Sequence, residues 1–330
     1  MRKKINIQKG AVLGAILTTI VAGMLLSVVQ VVVKPPLLLG ERLLPGGGWI
    51  QIVLAALFGG WLYLQMFDRK RRGMWRRRIW LLFSIVFQLF LGIFVDSMFL
   101  MSGKLHFPIP GLIPAGVFYR GEVSFMPFLF LVTILLSGGA WCSQLCYFGA
   151  WDSLAAGKNG KREALSSKMR TRMRWTVLFV FIGVASALRG FGIPVIYSTG
   201  IAAFAGIVGI MIIGFMSKRR HVAMHCSSYC PAGTLVMYLK QVSPWRLRLN
   251  DRCRHCMACT RVCRYGALSK VDVLKGRPAI NCTLCGDCLA GCGHDALEYH
   301  LGGISPVLAE RLWLGTTLVL FTCFLSIARV

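Results

Sequence analysis

Eight cysteines near the C-terminal end fall into two consecutive runs of C-x2-C-x2-C-x3-C. The first is Cys253, Cys256, Cys259 and Cys263, and the second is Cys282, Cys285, Cys288 and Cys292. Three thiolates spaced two residues apart can cap three corners of one [4Fe-4S] cube. In double runs of this kind the fourth cysteine ligates the other cube. The spacing therefore predicts one cube on Cys253, Cys256, Cys259 and Cys292, and another on Cys282, Cys285, Cys288 and Cys263. Structural zinc sites and disulfide frameworks are the competing readings, but zinc sites use pairs of ligands and rarely repeat a triplet plus one. Such runs usually end in Cys-Pro, whereas here Arg264 follows Cys263 and Gly293 follows Cys292. That alters the local turn and leaves the ligand count intact. Ala267-Leu268 and Ala296-Leu297 occupy matching places after the two runs, an internal repeat of about 29 residues.

Four more cysteines form two C-x3-C pairs, Cys142 with Cys146 and Cys226 with Cys230. Cysteines four apart share one face of a helix. If both pairs sit at neighbouring helix ends, they are candidates for a third metal or iron–sulfur centre. Other readings are a redox-active dithiol, or plain packing of small apolar side chains. His221 and His225 flank the second pair and are further candidates to tune or ligate such a centre. Cys323 stands alone in an apolar stretch and reads as packing.

The elements that must position these residues are apolar. The chain has 330 residues, is 56% hydrophobic and carries a formal charge of +26. A nucleic-acid binder can be that basic but not that apolar. Stretches at roughly 11–33, 49–67, 79–101, 122–141, 193–216 and 306–328 approach or exceed the ~18 apolar residues that mark a membrane span, and a shorter one lies at 175–189. Pro108, Pro110 and Pro114 interrupt 105–118, which reads as a loop or re-entrant piece. With seven spans, every basic run falls on one side: Arg2 to Lys4, Arg69 to Arg72, Arg76 to Arg78, Lys158 to Arg174 and Lys218 to Arg220. Lys and Arg mark the cytoplasmic face, where they meet anionic lipid. The chain is thus expected in the inner, cytoplasmic membrane, as an uncleaved multi-pass protein. Its N-terminus and cysteine-rich segment are expected on the cytoplasmic side, where thiols stay reduced.

The expected fold is mainly α: a polytopic helical bundle of about six to seven spans with a cytoplasmic bacterial-type 2[4Fe-4S] ferredoxin module. Residues 1–216 are read as the membrane domain and 217–252 as a connector. Residues 253–300 are read as the ferredoxin module and 301–330 as a last span. No C-x2-C-H is present for covalent haem, and neither a Walker A sequence nor a G-x-G-x-x-G after a strand is present for a nucleotide.

These features together resemble the NapH/NosR-type family of membrane-bound polyferredoxins. The resemblance rests on the double four-cysteine run, on the two C-x3-C pairs with Trp141 before the first and Pro231 after the second, and on the spans between them. Tyr147 departs from the family's proline after the first pair, and the outer loops are too short for the flavin domain of the larger members. The resemblance implies electron transfer between the quinone pool and a partner reductase, dehydrogenase, ferredoxin or cytochrome. Quinol oxidation also needs a proton acceptor, and ionisable groups within spans are usually functional. Asp96 is the leading candidate for a quinone or proton site, ahead of His106 and Glu122; it could instead pair with Lys104. A different class of function is an accessory, maturation or redox-sensing protein whose C-x3-C thiols do the work, and a purely structural anchor is a third. The sequence points to no nucleic-acid partner.

Overall fold

In the computed structural model, residues 2–34, 37–38, 40–41, 44–85, 112–121, 125–157 and 160–327 are described. Asp96, Lys104, His106 and Glu122 lie outside the described residues, as does 86–101 of the expected third span. The helices in chain order are α1 (Arg2–Val32), α2 (Gly47–Phe67), α3 (Arg69–Ile85), α4 (Leu112–Arg120), α5 (Phe125–Ser137), α6 (Tyr147–Ala155), α7 (Ser167–Gly190), α8 (Val195–Met211) and α9 (Pro231–Leu239). α8 runs on through a π-helical turn, Ile212–Ser217, into a last turn, Lys218–Arg220. Short helices α10 (Ala258–Val262), α11 (Lys270–Leu274) and α12 (Asp287–Ala290) follow, and α13 (Pro306–Ser326) ends the described chain.

Among the described residues, five stretches are long and apolar enough to cross a membrane: Lys9–Val32, Gly47–Phe67, Ser167–Gly190, Ile196–Arg220 and Pro306–Ser326. They mark a membrane protein. α1, α2 and α13 pack on one another. A Cβ on Gly60 would stand 2.1 Å from Thr19 Oγ1, the close backbone approach that small residues allow between apolar helices.

Three expected segments take different bounds in the fold. The short stretch 175–189 is part of the 24-residue α7, whose basic first half is helical because Lys, Arg and Met are good helix formers. Ser166 caps it, accepting from Met169 N at 3.3 Å. Of the expected span at 122–141, the described residues form α5, which stops at Gly138 with its left-handed φ of 61°. Of the expected loop or re-entrant piece at 105–118, the described part lies in helix α4. Pro114 falls in its first turn, where a missing N–H costs no hydrogen bond.

The cysteine-rich segment is tied together by strands β1 (Arg246–Leu249) and β2 (Leu297–His300). They pair antiparallel, with Arg246 opposite His300 and Leu249 opposite Leu297. The segment docks on the ends of the long helices. Tyr299 stacks on Trp313 of α13 at 4.5 Å and 21°, and Trp245 Nε1 donates to Leu136 O at 2.7 Å. At the start of α3, Arg69 pairs with Asp295 at 3.1 Å, and Arg72 pairs with the buried Glu310 at 2.9 Å.

Candidate iron–sulfur sites

The two four-cysteine runs wrap in the same way. His255 and Leu284 hold left-handed φ values of 51° and 53°, and Met257 and Gly286 hold 58° and 81°. For residues other than glycine this conformation costs roughly 1–3 kcal/mol and persists where the surroundings impose it, commonly at functional sites. In each run it lets the chain curl so that three thiols face one volume, and α10 and α12 start straight afterwards. The fourth cysteines are held alike: Ala267 N donates to Cys263 Sγ at 3.2 Å, and Ala296 N to Cys292 Sγ at 3.4 Å.

The thiols assemble in crossed foursomes. Burial raises the Cys259 pKa, and the neighbouring charges of Cys292, Cys253 and Cys256 raise it further. Burial also pushes Cys288 well up, followed by Cys285, Cys282 and Cys263. In the first foursome Cys256 is exposed and Cys253 and Cys292 are partly so. In the second, Cys263, Cys285 and Cys288 are buried. The first is therefore the outer site and the second the inner. Among the described residues, no three His, Cys, Asp or Glu converge for a single metal ion.

The C-x3-C pairs form a third foursome. The first cysteine of each pair lies in a π-helical turn, Trp141–Leu145 or His225–Tyr229, and a nine-residue helix, α6 or α9, follows. Cys146 and Cys230 occupy the N-caps, and Gly233 N donates to Cys230 Sγ at 3.4 Å. Backbone N–H groups of Phe148 and Gly149 likewise face Cys146. A helix N-terminus favours negative charge, so both caps suit thiolate ligands. All four side chains are buried. Burial raises Cys226 well above its usual value, and Asp152, Cys142, Cys146 and Cys230 add to the shift. Cys146 is pushed up to about 12 and Cys230 to about 11, burial being the main cause of each. Buried so close together, the four groups stay neutral thiols unless a cationic centre lies between them.

Residues that sequence reasoning missed hold this foursome in place. Asp152 is fully buried and accepts from Cys226 N at 2.8 Å, joining the two pairs. Arg174, counted above only as a basic-run residue, is buried and donates from Nε to Ser227 O at 2.6 Å. Both would have been hard to find: Asp152 follows Cys146 by six residues, which matches no ligand spacing. His225 stacks on Phe148 at 5.2 Å, and burial lowers its pKa to about 4. The third foursome lies against the inner one. Ser143 Oγ donates to Thr283 O at 2.8 Å, Ala223 N donates to Arg264 O at 2.8 Å, and Lys240 Nζ donates to Cys282 O.

Gly149 and Gly233 hold equivalent places, three residues after Cys146 and Cys230. A Cβ on Gly149 would lie 1.8 Å from Cys142 O, and one on Gly233 would lie 3.0 Å from Cys226 O. Gly149→Ala is therefore expected to cost at least the ~1–3 kcal/mol of an overpacked core and to lower the iron bound by the purified protein. Gly233→Ala should cost less. Iron analysis and thermal unfolding check both; equal behaviour of the two variants would remove the argument.

Residues 121–163 match a family described as a 4Fe-4S binding domain. The matched stretch contains Cys142 and Cys146 and ends before the two four-cysteine runs. It supports an iron–sulfur cofactor and iron–sulfur electron transfer. No curated protein and no solved structure matches the chain.

Proposed function

We propose that this chain is an inner-membrane electron-transfer protein of the NapH/NosR type, with its N-terminus and cysteine-rich module on the cytoplasmic side. It passes electrons between the quinone pool and a partner redox protein. Cys253, Cys256, Cys259 and Cys292 hold an outer [4Fe-4S] cluster, and Cys282, Cys285, Cys288 and Cys263 hold an inner one. Cys142, Cys146, Cys226 and Cys230 hold a third centre. When bound, such clusters take up and release single electrons.

The observation that carries this reading is the ordered burial of the three foursomes. Exposed Cys256 opens the outer site to a soluble partner. The inner site lies between the outer one and the helix ends, with Cys282 alone of its four thiols partly exposed, and the third is buried where α6 and α9 begin. Exposed Arg254 and Arg261 beside the outer site favour an acidic partner surface. Quinol oxidation releases two protons with its two electrons, and Asp96 is the proposed acceptor. The maturation or sensing alternative needs accessible thiols of lowered pKa, whereas the paired thiols are buried with raised pKa values.

The test is anaerobic. Purified protein in lipid is mixed with menaquinol, and protein pre-reduced with dithionite and freed of it is mixed with quinone. Cluster bleaching is followed by absorbance and EPR, with a soluble two-cluster ferredoxin as control. Exchange well beyond that control is expected in at least one direction. Clusters that dithionite bleaches but neither quinone nor quinol touches would remove the quinone link and favour the maturation reading.

A further inference from the structure

α3 places two arginines, and the loop after Cys263 a third, near one carboxylate and the inner foursome. Arg76 Nη1 donates to Cys285 O at 2.9 Å, and its Nη2 pairs with Asp287 at 3.3 Å. Arg77 Nη1 stands 3.7 Å from Asp287, and Arg264 Nη1 pairs with the same carboxylate. Gly73 makes room for Asp287, because a Cβ there would meet its Oδ1 at 2.4 Å. Three guanidinium groups thus face one carboxylate, leaving two positive charges in excess. Arg76 is buried to 1% side-chain exposure and Arg77 to 12%. Among the described residues, Arg76 Nε and Arg77 Nη1 are buried N–H donors with no hydrogen-bond acceptor. Both side chains are close enough to feel the Cys285 thiolate. A buried cation excess with unspent donors beside a cluster ligand calls for an anion, and a thiolate-ligated cube is one.

Among the described residues, the cations nearest the outer foursome are paired or exposed: Arg69 and Arg72, which line a cavity with Cys292, answer Asp295 and Glu310. Arg252 is spent on Glu298 at 2.6 Å. Arg254 and Arg261 are exposed, so water and salt screen them. Reduction adds one negative charge to a cube. That charge is stabilised most where cations are buried and unscreened, since low local dielectric strengthens the attraction.

We propose that Arg76 and Arg77, with Arg264, form a cationic seat that raises the reduction potential of the inner cluster above that of the outer one. The first electron the protein takes up then rests on the inner cluster: the outer cluster loses one electron as the inner one gains it. The proposal rests on the cluster assignment under Proposed function and not on the quinone link.

The test is an EPR-monitored redox titration of the full-length protein in lipid. The outer cluster's signal is assigned with Cys256→Ser, which changes the ligand field there alone. The inner cluster is expected to titrate at the higher potential. Arg76→Gln should move the inner cluster to lower potential and leave the outer one in place. Arg77→Gln should shift it the same way by less and serves as the second variant if Arg76→Gln fails to fold. Arg254→Gln should leave the inner cluster unmoved. An inner cluster that titrates below the outer one, or one that neither α3 variant moves, overturns the proposal. Absence of two [4Fe-4S] signals would instead overturn the cluster assignment. Failure of quinone exchange with these shifts intact would leave the proposal standing.

Discussion

Replacing Cys142 and Cys226 together with serine is expected to remove one full cluster, lowering bound iron from about twelve to about eight atoms per chain at four irons per cube. The two residues sit 84 positions apart in sequence yet face each other in one buried foursome. Removing one from each pair therefore strips two corners of the same centre. Serine keeps the volume close to that of cysteine but binds iron poorly, so any loss reports ligation more than packing. Cys323→Ser is the control, because Cys323 is a lone cysteine in α13. Iron and sulfide analysis alongside EPR gives the answer. Unchanged iron would return the C-x3-C pairs to the packing reading. Loss of all three centres together would mean that the third foursome is also needed for the fold.

Asp287→Asn carries the second large effect. Asp287 is buried and answers Arg76, Arg77 and Arg264. Burial works against its charged form, but the three guanidinium groups outweigh that and hold its pKa below the usual range. The carboxylate is thus ionised in the fold. Taking it away leaves buried guanidinium groups facing one another, and breaking such a pair costs about 3–5 kcal/mol. Asp295→Asn is the internal comparison. Asp295 also pairs with an arginine, Arg69, at 3.1 Å, but its side chain is 66% exposed. Exposed pairs contribute about 0–1 kcal/mol. Denaturant or thermal unfolding, followed through cluster bleaching, should separate the two variants clearly. Equal stabilities would mean that the inner arginines are solvated and the seat is not dry.

The contrast between these aspartates shows where reading the chain alone reaches and where it stops. The eight cysteines and their repeat are legible because a cube imposes its spacing locally, within about ten residues of chain. The spans at Lys9–Val32, Gly47–Phe67 and Pro306–Ser326 are legible for the same kind of reason, since hydropathy is a property of one continuous stretch. Helix α7 was only half visible, because basic residues that form its first turns do not register as apolar. Gly138 and Pro114 mark local breaks and starts whose effect depends on where each falls in a helix.

Residue types and spacing alone determined that this protein carries thiolate-rich sites on a membrane-spanning helical frame. Which cysteines meet was partly in the spacing, but the meeting of the two C-x3-C pairs came only from packing α6 against the turn before α9. The same holds for Asp152 and Arg174 as their supports. The arginines of α3 read as topological charge along the chain. Only the fold turned two of them inward onto Asp287, more than two hundred residues away. Ligand spacing and hydropathy act through neighbours in sequence, whereas burial, charge pairing and dielectric depend on neighbours in space.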